Sequence, residues 1–529
     1  MTLLEHPAPA PELRGTAVGT AQGAGGRAAL PWLVGLAIVV GVVSRLSTRS
    51  ALWLDEALSV HIARLPLTEV PGALRRDGAP PLYYVLLHGW IKLFGESATA
   101  TRALSCLFAL AALPVLFLVA RQLRDATTAW IAVLLLASSP FAVHYATEAR
   151  MYSLLLLQVL LGALALQRAA KRPSLGRLFP VALLSGLLVL THYWSLFLLV
   201  VVFGQLAVRA RHSRVARRLA AAEVAGSLLV LPWVPTLLFQ LQHTGTPWAP
   251  SPSLLWILST VGDWAGGGAA AGQLLALLLL ALPVVAVLGR AQGSALVLAR
   301  PVSPLGRDLA VVSFGTLLLG LGVDQLIHAG YAARYSSVAL GPALLLVAVG
   351  LRALPRRALL VLTGATVALG LVVSVQTPFD HKRTQAAQVA AVLRASLQPG
   401  DVVLSCPDQL GPAVQDLLPR GTDQVVYPTL AGPDRIDWVD YARRNAAAVP
   451  GKVVQRVLDR ARGHSVWLLS SPGYRTFGSD CQEVADALAA SHVITQHVLS
   501  SNRHYLEHED LYHYSGLLPP VDGPRPSVS

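Results

Sequence analysis

Residues 179–208 read FPVALLSGLLVLTHYWSLFLLVVVFGQLAV, predominantly apolar, with the one cluster of polar residues at Thr191-His192-Tyr193-Trp194. A single helix of that length, rising ~1.5 Å per residue, overruns the ~30 Å hydrocarbon core of a bilayer. The polar break therefore divides the stretch into two spanning helices, near 178–191 and 194–208. It leaves His192 and Tyr193 at the turn between them, where a chain leaving lipid meets water.

Similar runs near 29–43, 103–120, 127–142, 151–167, 219–238, 272–289, 309–327, 336–351 and 358–375 bring the expectation to about eleven spans. Composition agrees: 54% of the 529 residues are hydrophobic, 13% are charged, and mean hydropathy is +0.54. That is too apolar for a soluble chain, so the expected class is a mainly α, polytopic membrane protein. The formal charge of +13 raises the question of a nucleic-acid partner. Its distribution answers it. With the N-terminus inside, the inner loops carry Arg121 and Arg124; Arg168, Lys171, Arg172 and Arg177; Arg209, Arg211, Arg214, Arg217 and Arg218; Arg290, Arg300 and Arg307; and Arg352, Arg356 and Arg357. The outer stretch 239–271 has no Lys or Arg. This is the positive-inside pattern of a membrane protein, and nucleic acid is not expected.

Three regions follow. Residues 1–28, rich in Ala, Gly and Pro, read as a disordered inner tail. Residues 29–376 form the membrane domain, with a first outer loop over 48–102. There, 59–65 and 81–94 have the near-helical spacing of amphipathic helices lying in the membrane interface. Beyond 377 the apolar runs shorten to strand length. Strands at 401–404, 424–427, 465–469 and 492–494 alternate with helical patterns at 384–396, 411–418, 438–445 and 481–490, which predicts a soluble outer α/β domain. Of the three cysteines, Cys106 lies in an apolar run and reads as a packing residue. Cys406 and Cys481 can pair if their domain faces an oxidising compartment, or stay free. His504, His508 and His513 cluster with Glu507, Glu509 and Asp510. A divalent metal there is conceivable, but the spacing fits no known ligand pattern, so neither metal nor cofactor is expected.

The chemistry-bearing residues gather on the outer side. Trp53-Leu54-Asp55-Glu56 follows the first run; Asp77-Gly78-Ala79-Pro80-Pro81-Leu82-Tyr83-Tyr84, His88 and Trp90 come next. Glu148, Arg150 and Tyr152 fall in the second outer loop, His192 and Tyr193 in the third, Arg334 and Tyr335 in the fifth. Adjacent carboxylates repel, so one can keep a proton and serve as a base near neutral pH. The plainer reading is an interfacial acidic turn beside an aromatic anchor.

Together these residues resemble a family. The Trp53–Glu56 and Asp77–Tyr84 blocks, His88-x-Trp90, Phe94-Gly95-Glu96-Ser97 and Arg102 are similar to the first outer loop of the protein-mannosyltransferase-like glycosyltransferases, a group that includes aminoarabinose transferases acting on lipid A. Glu148-Ala149-Arg150-Met151-Tyr152, Thr191-His192-Tyr193, Leu231-Pro232-Trp233-Val234-Pro235 and Arg334-Tyr335 follow in that family's order. The resemblance spans 30–375 and implies a GT-C membrane fold, a polyprenyl-phosphate-linked sugar donor and a catalytic Asp in the D-E pair, which maps to Asp55. One position departs: the family often has His before the paired prolines, and here it is Ala79.

The implied function is an inverting transfer of a mannose- or pentose-type sugar to an extracytoplasmic lipid, glycan or protein, at the cytoplasmic membrane of a bacterium. Asp55 is the expected base, with Glu56 positioning it or the acceptor. Arg150 and Arg334, helped by His192 and Tyr193, hold the lipid phosphate, because a guanidinium matches phosphate oxygens bidentately. Asp77, Tyr83, His88 and Glu148 are expected to position the acceptor or the loops. The rival reading is a polyprenyl-lipid transporter or flippase. Against it, no internal repeat with broken helices is visible, and the polar residues favour one face over the midplane.

Overall fold

The computed structural model describes residues 24–46, 50–298, 302–380 and 382–518. Most of the stretch read as a tail, together with Arg300 and the residues after 518, lies outside that set. The first helix starts at Ala24, inside the predicted tail. Contacts divide the chain into two compact units. One comprises residues 1–48, 79–238 and 250–379; the other comprises 49–78, 239–249 and 380–529. The first outer loop is thus split after Gly78. Its acidic half groups with the C-terminal residues, and its Pro-Pro-Leu-Tyr-Tyr half with the membrane helices.

In the membrane unit, helices occupy all eleven expected positions, but not all are long enough to span. Among the described residues seven are long and apolar enough to cross a membrane, or eight if the bent pair Ala126–Ser138 and Pro140–Ala146 counts as one. The pair bends by 59° at Ser139, whose hydroxyl accepts the Ala142 N–H to start the second piece. Helices Leu175–Thr191 and Ser195–Ala210 flank the polar break as expected, but each is short. Helix Ser337–Arg352 is the centre of the core, with every residue from Ser337 to Leu351 buried. Close helix approach comes from missing side chains. A Cβ on Gly226 would lie 1.8 Å from the Ala182 carbonyl oxygen, so only glycine lets these two helices touch there. Arg45, 2% exposed, satisfies carbonyls that helix Ala126–Ser138 leaves open at its end, donating to Leu136 at 2.7 Å and Ala137 at 2.9 Å. A short antiparallel hairpin pairs β1 (Gly289–Gln292) with β2 (Ala295–Leu298); it was not anticipated.

The second unit is an α/β body. Strand β4 (Val402–Cys406) lies between β5 (Asp423–Val426) and β6 (Val466–Ser470), all parallel. Strands β9 (Asp510–Leu517) and β7 (His492–Leu499) continue the sheet antiparallel, in the order β5-β4-β6-β9-β7. Side chains alternate across it as strand geometry requires. Val402, Leu404, Val466 and Leu468 face one core, with Val453, Val454, Val457 and Ala461 of helix Pro450–Ala461; Val403, Trp467 and Leu469 face another, with Val389 and Leu393 of helix Ala386–Ser396. Cys406 and Cys481 are joined as a disulfide. All four predicted strands and all four helices exist; helix Pro450–Ala461, strand β9 and two three-residue strands, Lys382–Thr384 and Tyr505–Glu507, were missed. A separate parallel pair, β3 (Lys382–Thr384) with β8 (Tyr505–Glu507), sets Thr384 opposite Glu507.

Candidate active site

Each unit carries one cluster of the expected residues. In the α/β body, helix Leu54–Arg64 begins at Trp53, whose extended backbone is that of a cap residue. Glu56, at the third helical position, accepts the Trp53 N–H on Oε2 at 3.5 Å, half of a capping box. Its other oxygen accepts Arg383 Nη1 at 3.3 Å. Glu56 is fully buried and Arg383 nearly so, so this acid is held from two sides. Asp55, one residue earlier, is only half-buried. Both carboxylates lie in the first turn, where the helix dipole favours negative charge. At its far end the helix is pinned by Asp416, which lies 2.8 Å from Arg64 Nη1 and 2.9 Å from His61 Nε2. Asp55 therefore sits on a helix anchored at both ends.

Two further carboxyls belong to this cluster. Glu507 and Glu509 are 4% and 0% exposed, and the Thr384 hydroxyl donates to Glu509 Oε1 at 3.5 Å. Burial, with the like charges of Asp55 and Glu56 added, pushes the Glu507 carboxyl up to about 8. Burial and Glu507 itself push Glu509 well above the usual carboxylate range. Asp77 closes helix Val70–Asp77, and Gly78 caps it in the left-handed region at φ 90°. A Cβ at Gly78 would sit 3.0 Å from Thr244 Oγ1, a second reason for glycine in this block.

In the membrane unit, Arg150 Nη1 donates to the Tyr84 hydroxyl at 3.4 Å. The Arg150 carbonyl accepts the Ser105 hydroxyl at 3.0 Å, and that hydroxyl meets Tyr83 at 3.1 Å. His192 lies between two tyrosines, with ring centroids 5.9 Å from Tyr152 and 5.1 Å from Tyr335. Its Nδ1 accepts the Trp194 N–H at 3.2 Å, which leaves the neutral ring's proton on Nε2 as a donor. The guanidinium groups of both Arg150 and Arg334 act electrostatically on His192. Tyr335 links two of these predicted phosphate ligands by geometry, its ring lying 5.1 Å from His192 and 6.0 Å from the Arg334 guanidinium. The Tyr193 hydroxyl accepts the Trp233 Nε1–H at 2.8 Å. Glu148, 1% exposed, lies 3.4 Å from His144 Nε2, and His88 is buried on helix Leu82–Phe94.

Residues 78–239 match the model of the dolichyl-phosphate-mannose-protein mannosyltransferase family. The matched segment contains Tyr83, Tyr84, His88, Glu148, Arg150, His192 and Tyr193. Among curated proteins none matches the chain. The mycobacterial arabinofuranosyltransferase AftD superposes with a TM-score of 0.52 at 15% identity, over 92% of this chain and 40% of that one. The likeness to AftD is one of fold, and the fold is the GT-C membrane fold that the motifs implied. ArnT from Cupriavidus metallidurans, in the apo state, covers 92% of this chain and 98% of its own, with 18% identity and a TM-score of 0.48. The Archaeoglobus fulgidus oligosaccharyltransferase AglB covers 87% of this chain and 72% of its own, with 11% identity and a TM-score of 0.48.

Sequence reading missed Arg383, Glu507 and Glu509 as members of the acid cluster. The glutamates were visible only as part of a His-rich metal candidate. His513 instead stacks on Trp467 with centroids 4.0 Å apart, and among the described residues no group of three or more His, Cys, Asp or Glu is placed to hold a metal. The alternation along 505–511 could have separated the inward glutamates from the histidines; nothing local to Arg383 marks it.

Proposed function

We propose that this chain is an inverting glycosyltransferase that moves a sugar from a polyprenyl-phosphate donor to an acceptor hydroxyl. One observation carries the reading: of two adjacent acids, Glu56 is tied to a backbone N–H and to Arg383, while Asp55 stays half-exposed on the anchored helix. A base must reach its substrate, and of the two acids Asp55 is the one that is partly exposed. The family description names a dolichyl-phosphate mannose donor, which supports a lipid phosphate as leaving group and mannose as the first sugar to test.

The acceptor hydroxyl gives its proton to the Asp55 carboxylate as its oxygen attacks the anomeric carbon. The bond from that carbon to the phosphate oxygen breaks, and the electron pair leaves with the phosphate. A departing phosphate needs counter-charge and no protonating acid, unlike the ether-type leaving groups of glycosidases. Arg150, Arg334 and the His192 Nε2–H are the donors assigned to it. Asp77, Tyr83, His88 and Glu148 are assigned to shaping the loops that hold acceptor and donor, and the outer face of a bacterial cytoplasmic membrane is the proposed location. The test is release of polyprenyl phosphate from radiolabelled polyprenyl-phosphate mannose by the purified chain in lipid nanodiscs. Turnover by wild type and none by well-folded Asp55→Asn is the expected result; equal turnover by both overturns the base assignment.

A further inference from the structure

At the arginine-rich end of the membrane unit lies a second site, unrelated to the residues above. Helices Tyr152–Lys171, Leu175–Thr191, Ser195–Ala210 and Arg214–Ser227, with residues of Ala98–Leu123, of the segment from Pro304 and of Ser337–Arg352, line a cavity of about 150 Å³. Its wall is mostly Leu and Val, and apolar cavities of about this size stay dry and take apolar ligands. Five polar side chains interrupt the wall: Gln167, Ser185, Gln205, Arg209 and Glu223, of which Ser185 Oγ donates to the Val181 carbonyl of its own helix at 2.9 Å.

The donors among them are turned to protein acceptors. Arg209 Nη2 meets the buried Asp308 carboxylate at 2.5 Å, Gln205 Nε2 donates to the Asp308 carbonyl at 3.1 Å, and Gln167 Nε2 donates to the Val119 carbonyl at 3.3 Å. The acceptors are not so used. Glu223 is 3% exposed and neither carboxyl oxygen has a hydrogen-bond partner among the described residues; Gln167 Oε1 has none either. An unmet carboxyl at membrane depth is costly, and such groups usually mark a ligand or a path. The cavity offers acceptors and apolar wall, so its ligand must bring donors and a hydrocarbon chain.

We propose that this cavity binds a single aliphatic chain whose head carries hydrogen-bond donors, an ammonium or a hydroxyl, directed at Glu223. Gly162 supplies a way to close it without touching the rest. It lines the cavity, and a Cβ built on it meets nothing within 4 Å, so a leucine there projects into empty space on a helix that gains stability by losing glycine.

The probes are hexadecylamine and hexadecanol, each carrying a mid-chain diazirine, photolysed with the full chain in phosphatidylcholine nanodiscs and mapped by mass spectrometry. Saturable adducts on the peptides of the four helices, competed by unlabelled dodecylamine or dodecanol and not by dodecane, are expected. Gly162→Leu should abolish them, with Gly162→Ala as the folding control that retains them. Glu223→Gln should weaken the amine by about tenfold and the alcohol by less, because an amide still accepts but no longer carries charge. An amine-only result identifies an ammonium ligand, and equal labelling identifies a hydroxyl. Adducts that do not saturate, or that persist in Gly162→Leu, overturn the site, whatever becomes of the transferase reading.

Discussion

Arg383 donates to Glu56 over 3.3 Å with both side chains buried, joining β3 to the first turn of the helix that carries Asp55. Breaking a buried pair by removing one partner strands a charge and costs roughly 3–5 kcal/mol. Arg383→Ala should therefore destabilise the α/β body strongly. Arg383→Lys, which keeps the charge, should retain the fold and lose part of the turnover through a less rigid helix start. Thermal unfolding measured beside turnover separates the two effects.

Asp55 and Glu56 should respond differently to amide substitution. Asp55→Asn should lose transfer by about 10²–10⁴-fold, the usual contribution of a positioned base, with unchanged stability. Glu56→Gln should lower stability, since it neutralises the partner of Arg383, and should lower turnover less. Single-turnover kinetics and unfolding on both variants check this. A larger catalytic loss in Glu56→Gln would exchange the two roles.

The arginines predict a donor phenotype. Arg150→Lys or Arg334→Lys keeps charge but replaces a planar fork by a point ammonium. A charged hydrogen bond to phosphate is worth roughly 1.5–3 kcal/mol, so donor efficiency should fall about ten- to a hundred-fold with acceptor affinity unchanged. Arg→Ala should cost more. Varying donor at fixed acceptor reads it directly, and normal donor kinetics in both alanine variants would remove these residues from the phosphate site.

Glu507 predicts a pH dependence of stability. Its folded-state value of about 8 lies above the ordinary glutamate value of about 4.3. The folded state thus binds the proton more tightly, and stability falls as pH rises between those values, levelling above about 8. Below about pH 4 the contribution is complete. Glu507→Gln should flatten that decline, measured as the melting temperature between pH 5 and pH 9. An identical slope in the variant would place the titration elsewhere, with Glu509 the next residue to substitute.

Sidedness can be read from one cysteine. Replacing Ser501, at the edge of the sheet body, with cysteine should allow an impermeant maleimide to label intact cells. The arginine distribution predicts this, and the Cys406–Cys481 disulfide fits an oxidising side. Labelling only after lysis would reverse the orientation.

By itself the sequence determined the class, the helix positions and most of the α/β elements, because bilayer thickness and side-chain periodicity act locally along the chain. Thr191-His192-Tyr193-Trp194 marked a helix break that the structure keeps. The D-E pair and the order of Arg150, His192 and Arg334 pointed to the membrane glycosyltransferase fold. Span number was legible only as position, since whether a helix such as Leu175–Thr191 reaches across depends on neighbours and breaks that hydropathy does not register. Only tertiary structure decided that residues 49–78 pack with a body built more than 300 residues later. The reason lies in what holds them: Glu56 with Arg383, His61 and Arg64 with Asp416, and Leu58 in a core with Val402 and Tyr427. Such pairings depend on three-dimensional register and leave no periodic trace. The resemblance named Asp55 as the base of the pair; the fold adds that Glu56 is buried against Arg383 while Asp55 is half-exposed.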